Sequence, residues 1–520
     1  MAWVAGAIST LAFAPVFAWP VLIFTFPVLV WLLDGASLRS RPIRGSAVAL
    51  WWFAFGYFFA GLIWIGEAFL VEAEIFAWLL PFAVTLLPAA MAAYWALAGA
   101  LAQAFWPAGE SGGLRGGLLR SLILAIAIGL VEWLRGWMFT GFPWNAPGLA
   151  LTMPLALLQS VAVFGVSGLT LWAVALLSLP LVLIADAPQG HLRRRVATAV
   201  ALSGGPLALA ALLGAWHLSQ PPSPPIPGVK LRLVQPSVPQ RDKWMASRQA
   251  AIFQDHLELS KRNAAGQIDD LAGITHVVWP EAAMPFGPLD HPEALAAIGE
   301  LLPRNVYLLA GALRVVRDDA AGTRKAYNSL LVLGDGGGLT ALYDKIHLVP
   351  FGEYLPFQAT LEAIGLQSLT RQRGGFSAGV RPKPLLFVPG LPPVGPLICY
   401  EAIFANDVWS HGDRPGLLLV VTNDGWFGDS TGPPQHFHQA RVRAVEQGLT
   451  LVRSANNGIS AVVDPEGRLL VSMRLNDRGS VDTVLPLARP APVCARYGDA
   501  VFWLVVSIFC VAAGALRRFI

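Results

Sequence analysis

At residues 396–401 the chain reads Pro396-Leu397-Ile398-Cys399-Tyr400-Glu401. Val394, Leu397 and Ile398 form an apolar run of strand type that ends in a thiol, and Ala402-Ile403-Phe404-Ala405-Asn406-Asp407 then reads as the start of a helix. A strand that turns sharply into a helix exposes the residue at the turn and aims the next backbone N–H groups at whatever it attacks. A lone Cys after a strand is more often a small buried hydrophobe. A chemical role for Cys399 therefore depends on what other strands of the chain bring to it.

Two further stretches bring the same chemistry. His276-Val277-Val278-Trp279-Pro280-Glu281 is another apolar strand, and it ends in a carboxylate. Tyr343-Asp344-Lys345-Ile346-His347-Leu348-Val349-Pro350-Phe351-Gly352-Glu353 places a Lys and a Glu just past a hairpin with a Gly-rich turn. In chain order, three strand ends offer Glu, Lys and Cys. A thiol at its ordinary pKa is only partly ionised at neutral pH, so acyl chemistry needs a base to take its proton and a cation to hold the charge. Glu281 can be the base and Lys345 the cation.

Trp-Pro-Glu, then Tyr-Asp-Lys leading into Leu-Val-Pro-Phe-Gly-Glu, then Cys-Tyr-Glu resembles the motif order of the nitrilase superfamily. It is most similar to the membrane-bound branch, the apolipoprotein N-acyltransferases, over roughly residues 229–487 and the hydrophobic flanks. Each motif alone is weak; three in order between membrane segments are specific. The resemblance implies a four-layer αββα sandwich and a Glu281–Lys345–Cys399 triad that works without cofactor or metal. It implies a ping-pong acyl transfer through a Cys399 thioester, with Lys345 and the Tyr400 N–H stabilising the oxyanion. Glu353 is implied as a supporting carboxylate, Tyr400 as a contact of the acyl group and Glu401 as a contact of the acceptor ammonium. Trp244 is implied at the entrance, and Asn423, Trp426 and Phe427 as a wall of the pocket. The implied donor is a membrane phospholipid, phosphatidylethanolamine, and the implied acceptor the α-amino group of an N-terminal S-diacylglyceryl cysteine on an apolipoprotein. Two alternatives stay open: a membrane-tethered amidase or nitrilase that lets water resolve the thioester, and a transporter or sensor whose outer domain only binds small amides.

Composition fits a chain that lives largely in lipid. It has 520 residues, 55% hydrophobic and only 13% charged, with a mean hydropathy of +0.55. The formal charge of +4 sits mostly in Arg clusters beside apolar runs, which orient membrane segments and argue against nucleic acid as a partner. Cys399, Cys494 and Cys510 are an odd set with no disulfide pattern. Apolar runs at 2–18, 20–33, 46–70, 76–105, 122–138, 165–184, 197–216 and 502–516 predict eight transmembrane helices, the first two short for a bilayer. No basic residue precedes the first run, which argues against a cleaved signal peptide.

With the N-terminus inside, the basic loops at 35–45, 106–120 and 187–196 and Arg517-Arg518 all fall on the cytoplasmic side. The segment between Trp216 and Phe502 then lies outside, in the periplasm of a Gram-negative cell. The expected organisation is a seven-helix membrane domain at 1–217, a Pro-rich linker at 218–228, a nitrilase-like domain at 229–490 and a closing membrane helix at 497–520. Eight spans and a large domain predict a monomer. Glu132 and Arg135 fall on one face of the fifth span, and residues 153–164 read as a membrane-grazing helix. His436 and His438 lack a Cys or carboxylate at zinc spacing, so no metal is expected there.

Overall fold

The computed structural model describes residues 1–107, 113–187, 191–318, 323–363, 368–369, 375–409 and 412–518. Parts of the basic loops at 106–120 and 187–196 lie outside the described residues. Among those described, seven helices are long and apolar enough to cross a membrane: Trp19–Ser37, Pro42–Gly61, Ala73–Ala104, Gly113–Arg135, Val161–Ala185, Leu192–Leu218 and Asp499–Arg517. The first apolar run gives only the short helix Ala2–Ala12. Pro15 and Pro20 bring no N–H to a helical ladder, and Phe17 sits at φ 54, outside helical space. At about 1.5 Å per residue that helix falls well short of a bilayer core of about 30 Å. The eight expected spans are thus seven candidates and one short helix.

Two groups of charges within the membrane block are paired. Arg120 bridges Asp34, at 2.6 Å, and Asp186. Glu132 and Arg135 meet on one helix face at 2.5 Å, and the Trp95 indole donates to Glu132 at 2.8 Å. In place of a single helix at 153–164 the chain makes two short turns, Pro147–Thr152 and Leu155–Leu158, before the Val161–Ala185 helix, which breaks at Gly165 (φ 62).

The second half is built on two sheets. The strands are β1 (Pro225–Gln235), β2 (His276–Met284), β3 (Tyr307–Asp318), β4 (Thr323–Leu333), β5 (Leu339–Asp344), β6 (Val394–Ile398), β7 (Leu417–Thr422), β8 (Thr450–Ala455), β9 (Ser460–Val463), β10 (Leu469–Met473) and β11 (Gly479–Pro486). One sheet runs β11-β1-β2-β3-β4-β5 and the other β10-β9-β8-β7-β6. β1 begins inside the proline run, where Pro225 pairs with Pro486 of β11.

Alternation along these strands makes two apolar faces, and each face needs a cover. Leu233, Val278, Leu309 and Val332 of the first sheet pack face to face with Ile398, Leu419, Val421 and Val452 of the second. The first sheet's other face, with Val277, Trp279 and Leu308, is covered through Leu257 and Ile298 by the helices Gln249–Ser260 and Pro292–Leu301. Helix Gly432–Gln447 covers the second sheet's other face through Phe437, Ala440 and Ala444. The result is four layers, helix–sheet–sheet–helix. β1 runs parallel to β2 and β2 to β3, and β6, β7 and β8 are parallel to one another. In such sheets, functional side chains gather at the carboxyl ends of the strands.

Candidate active site

Glu281 is placed by a bulge in β2. The pairing of β2 with β3 slips between Trp279 and Met284, and Ala282 within the slip has φ 46. A bulge re-aims a side chain out of the regular alternation, and here Glu281 ends up buried among polar partners. Gly311 on β3 makes room for it: a Cβ there would stand 2.5 Å from the Glu281 Cα. The Asn328 amide on β4 donates to Glu281 Oε1 at 2.7 Å and to Glu353 Oε1 at 3.0 Å.

Lys345, just beyond β5, is 1% exposed and lies between the two acids. Its Nζ is 2.9 Å from Glu353 Oε2 and 4.0 Å from Glu281 Oε1. Burial works against the Lys345 ammonium, but Glu353, Glu281 and the thiol position together hold its pKa above the usual lysine value. Glu281 leans the other way for an acid in an ion pair. Burial raises its pKa, and Lys345 only partly offsets this because the closer of the two ion pairs goes to Glu353. A carboxyl with a raised pKa beside a fixed cation is the arrangement a general base needs near neutral pH.

Cys399 ends β6 with φ 50, in the left-handed region where a non-glycine residue carries about 1–3 kcal/mol of strain. Instead of the α-helix expected after it, the chain makes the 3-10 turns Cys399–Ile403 and Ala405–Asp407. Two devices hold this turn. Glu401 folds back so that its Oε2 accepts from the Ile398 N–H at 2.8 Å. Behind the turn, His436 Nε2 lies 3.1 Å from the Cys399 carbonyl, and its Nδ1 lies 2.9 Å from Asp424, which Arg453 also pairs at 2.9 Å. A carbonyl only accepts, so His436 Nε2 carries a proton towards it. Cys399 is 7% exposed. Burial pushes its pKa well up, the Glu281 charge adds to that and Lys345 opposes it. At rest the sulfur is a thiol that needs a base. Among the described residues no three His, Cys, Asp or Glu side chains are grouped to hold a metal ion.

Comparison with known proteins places both halves of the chain. Residues 230–489 match the carbon-nitrogen hydrolase model and residues 5–179 that of the apolipoprotein N-acyltransferase N-terminal domain. The apolipoprotein N-acyltransferase of Rhodopseudomonas palustris is 45% identical over 511 residues, 98% of this chain and 93% of that protein. That of Bradyrhizobium diazoefficiens is 45% identical over 508 residues, covering 97% and 92%. The chain belongs to the apolipoprotein N-acyltransferase family. Among solved structures, a mutant of the amidase from Nesterenkonia sp. AN1 is similar at a TM-score of 0.34 and 19% identity, over 51% of this chain and 93% of that one.

The remaining residues singled out in this apolipoprotein N-acyltransferase family member fall into three settings. Tyr400 lies at the contact with the membrane block: its hydroxyl donates to the Gly141 carbonyl at 3.0 Å and its ring stacks on Phe142. Phe427 meets Trp64 edge to face at 4.5 Å and packs near Trp144, so both halves contribute to that wall. Trp426 lies beside it in the same turn, half-buried. Trp244 is 40% exposed.

Asn423 and Glu401 are instead consumed inside the domain. Asn423 donates to Gln240 at 2.6 Å and accepts from Asn456 at 3.0 Å. Glu401 is fully buried and accepts from Tyr343, Ile346, His347 and Ile398, with Lys383 at 3.4 Å. The structure brings Glu401 together with these protein donors and not with an open face where an acceptor ammonium would sit.

Two contributors were not read from the sequence. Asn328 looks like any polar residue of an alternating strand. Lys243 looks like a surface Lys beside an exposed Trp, yet it is 1% exposed and donates to the Glu281 carbonyl at 2.9 Å. Burial draws the Lys243 pKa down to about 8, against the pull of Glu281 and Cys399.

Proposed function

We propose that this chain transfers a fatty acyl group from a membrane phospholipid, through a thioester on Cys399, to the α-amino group of the N-terminal S-diacylglyceryl cysteine of apolipoproteins. The relatives at 45% identity over nearly the whole chain bear the name of that activity. One structural observation favours lipid substrates over small soluble amides. The turn that carries the nucleophile is packed into the core of the membrane block: Tyr400, Ile403 and Phe404 share one apolar cluster with Phe58, Trp95, Trp144 and Leu171.

Glu281 takes the Cys399 proton, and the thiolate attacks the ester carbonyl. Lys345 and the Tyr400 N–H hold the oxyanion. The tetrahedral adduct expels the lysophospholipid alkoxide, which takes the proton from Glu281, and the acyl group stays on sulfur. The neutral acceptor amine then attacks the thioester, gives its proton to Glu281 and expels the thiolate, which recovers the proton. Glu353 fixes Lys345, and Tyr400, Trp244, Trp426 and Phe427 form the walls along which the chains lie. Asn423 and Glu401 act by positioning. Burial of Cys399 keeps water from the thioester, which separates a transferase from a hydrolase.

We read residues 1–217 as the membrane domain, 218–228 as a connector whose end joins the sheet, 229–490 as the catalytic domain and 497–520 as the returning helix. The multi-pass chain sits in the inner membrane with the catalytic domain in the periplasm, works as a monomer and takes phosphatidylethanolamine as donor. In detergent with acyl-labelled phosphatidylethanolamine, the protein is expected to gain a hydroxylamine-sensitive label that Cys399→Ala abolishes. A diacylglyceryl peptide is expected to discharge the label onto its amine. Release as free fatty acid with the peptide untouched would establish the hydrolase instead.

A further inference from the structure

The peptide between Cys399 and Tyr400 is held from behind. Its carbonyl accepts from His436 Nε2 at 3.1 Å. The bond is trans and planar, so the Cys399 carbonyl and the Tyr400 N–H point in opposite directions and turn as one body. Tyr400 is the second residue of the 3-10 turn Cys399–Ile403, and the N–H groups that open such a turn find no carbonyl inside it. Whatever grips the Cys399 carbonyl therefore sets where the Tyr400 N–H points.

His436 is itself fixed on every side. It is fully buried, as are Asp424 and Arg453. Its Nδ1 lies 2.9 Å from Asp424 Oδ1 and 3.1 Å from Arg453 Nη2, and Arg453 reaches both Asp424 oxygens, at 3.1 and 2.9 Å. Burial works against the Asp424 carboxylate, but Arg453 and His436 hold its pKa well below the usual range, so the charge that anchors the ring stays in place. The ring meets Phe427 edge-on at 5.6 Å and lies near-parallel to Trp144 of the membrane block at 5.8 Å. A buried charged cluster adds little stability by itself, because desolvation offsets most of the attraction. What it does achieve is a single, immobile N–H aimed at one carbonyl.

We infer that His436, oriented by Asp424 and Arg453, is a positioning residue for acyl transfer, which by holding the Cys399 carbonyl aims the Tyr400 N–H at the oxyanion. That role rests on the acyl-transfer reading proposed for this site, in which the Tyr400 N–H and Lys345 share the oxyanion. Lys345 keeps its place through Glu353 at 2.9 Å whatever stands at position 436. The sulfur also stays seated, because Glu401 still holds the Ile398 N–H at 2.8 Å and the Tyr400 hydroxyl still reaches the Gly141 carbonyl at 3.0 Å. Loss of the His436 bond is thus the loss of aim at one donor of two.

The test separates aim from support by two reactions of the same thiol, followed on the full-length protein in detergent by mass spectrometry of the Cys399 peptide. With p-nitrophenyl octanoate the thiolate attacks a carbonyl, an oxyanion forms, p-nitrophenolate leaves and the acyl group stays on sulfur. With methyl methanethiosulfonate the thiolate attacks sulfur and expels methanesulfinate, and no carbonyl oxyanion arises. His436→Leu is expected to slow the ester reaction about 10²-fold, the lower end of what losing one oxyanion donor costs, with the thiosulfonate reaction near the parent rate. His436→Gln puts an amide N–H where Nε2 stood and is expected to restore the ester reaction. His436→Asn, one methylene shorter, is expected to stay as slow as His436→Leu, and this polar pair decides the matter even where Leu beside Asp424 prevents folding. Equal slowing of both reactions would make His436 a brace for the turn and overturn the inference. A parent-like ester rate in folded His436→Asn, or a His436→Gln no faster than His436→Asn, would overturn it too. A parent protein that reacts with the thiosulfonate and not with the ester would overturn the acyl-transfer reading itself, and the role of His436 with it.

Discussion

Two buried carboxylates lie at the candidate site of the two-sheet half, and they answer burial in opposite ways. Glu281 receives one side-chain hydrogen bond, from Asn328 at 2.7 Å, with Lys345 no closer than 4.0 Å. Glu401 receives a hydroxyl from Tyr343 at 2.6 Å, three backbone N–H groups and the Lys383 ammonium at 3.4 Å. Burial favours the neutral form of both. It prevails at Glu281, whose pKa is raised, and is overcome at Glu401, whose pKa is lowered by Lys383, Tyr343 and the Ile398 N–H. The number of donors, and not depth, separates a carboxylate able to take a proton from one that holds a turn in place.

Exchanging each acid for its amide gives the sharpest separation. Glu281→Gln removes the proposed base, and thioester formation is expected to fall by about 10³-fold, within the range general-base catalysis supplies. Its thermal stability is expected to hold or rise. A carboxyl whose folded pKa lies above its unfolded one costs stability once the pH passes the unfolded value, and the amide removes that cost. Glu401→Gln turns an NH2 group towards backbone N–H donors. It is expected to lose about 3 kcal/mol of stability, read as a lower denaturation midpoint, while the protein that stays folded still acylates. The stability Glu401 supplies is full above its unfolded pKa and is lost as the pH falls through its depressed folded value. If the two amides traded phenotypes, the assignment of base and brace would be reversed.

The pH profile tests the same difference without touching either acid. With Glu281 as the proposed base, acylation needs its carboxylate, so the acid limb is expected at higher pH than an ordinary glutamate gives. The Asn328 amide and the Lys243 ammonium both pull the Glu281 pKa down. Asn328→Leu and Lys243→Met are therefore both expected to shift the acid limb of the thioester-formation rate to still higher pH. A shift to lower pH in either variant would mean that Glu281 is not the group titrating. Lys243 itself loses its proton near pH 8, so the contribution of its charge fades above that pH and the Lys243→Met profile is expected to approach the parent's there.

How much of this was legible in the sequence follows the same line. Cys399 and Lys345 announce themselves because each follows directly on a strand, and Glu281 because it closes the apolar run at 276–279, although β2 carries on past it through a bulge to Met284. Glu353 follows from its place near Lys345, and the structure puts it at 2.9 Å. The four-layer order follows from strand and helix alternation joined to the family resemblance. What a linear pattern does not carry is the third dimension of the bulge at Ala282 and the left-handed turn at Cys399, with φ 46 and 50. The helix expected after Cys399 is absent because that backbone leaves the strand in a direction an α-helix cannot continue, and Glu401 ties it there. Lys243 and Asn328 are invisible for a related reason: their roles depend on burial created by segments far away in sequence. The short first membrane helix was foreshadowed by the length of its apolar run, and the extended backbone at Phe13, with φ -102 and ψ 174, ends it.

The smallest expected effect probes the brace one bond at a time. Tyr343→Phe keeps the ring, which packs between the sheets, and deletes only the hydroxyl that donates to Glu401 Oε1 at 2.6 Å. The Ile346 and His347 N–H groups still reach that oxygen, at 3.1 and 3.2 Å, and the Ile398 N–H still holds the other at 2.8 Å. One hydrogen bond to a charged group among several is expected to cost about 1.5 kcal/mol, with acylation per folded molecule nearly unchanged. A loss as large as that of Glu401→Gln would show that the carboxylate depends on a single donor, and the contrast with Glu281 would then rest on one bond instead of a count. Full stability with acylation abolished would instead place Tyr343 and Glu401 in the chemistry, on the substrate's side of the turn.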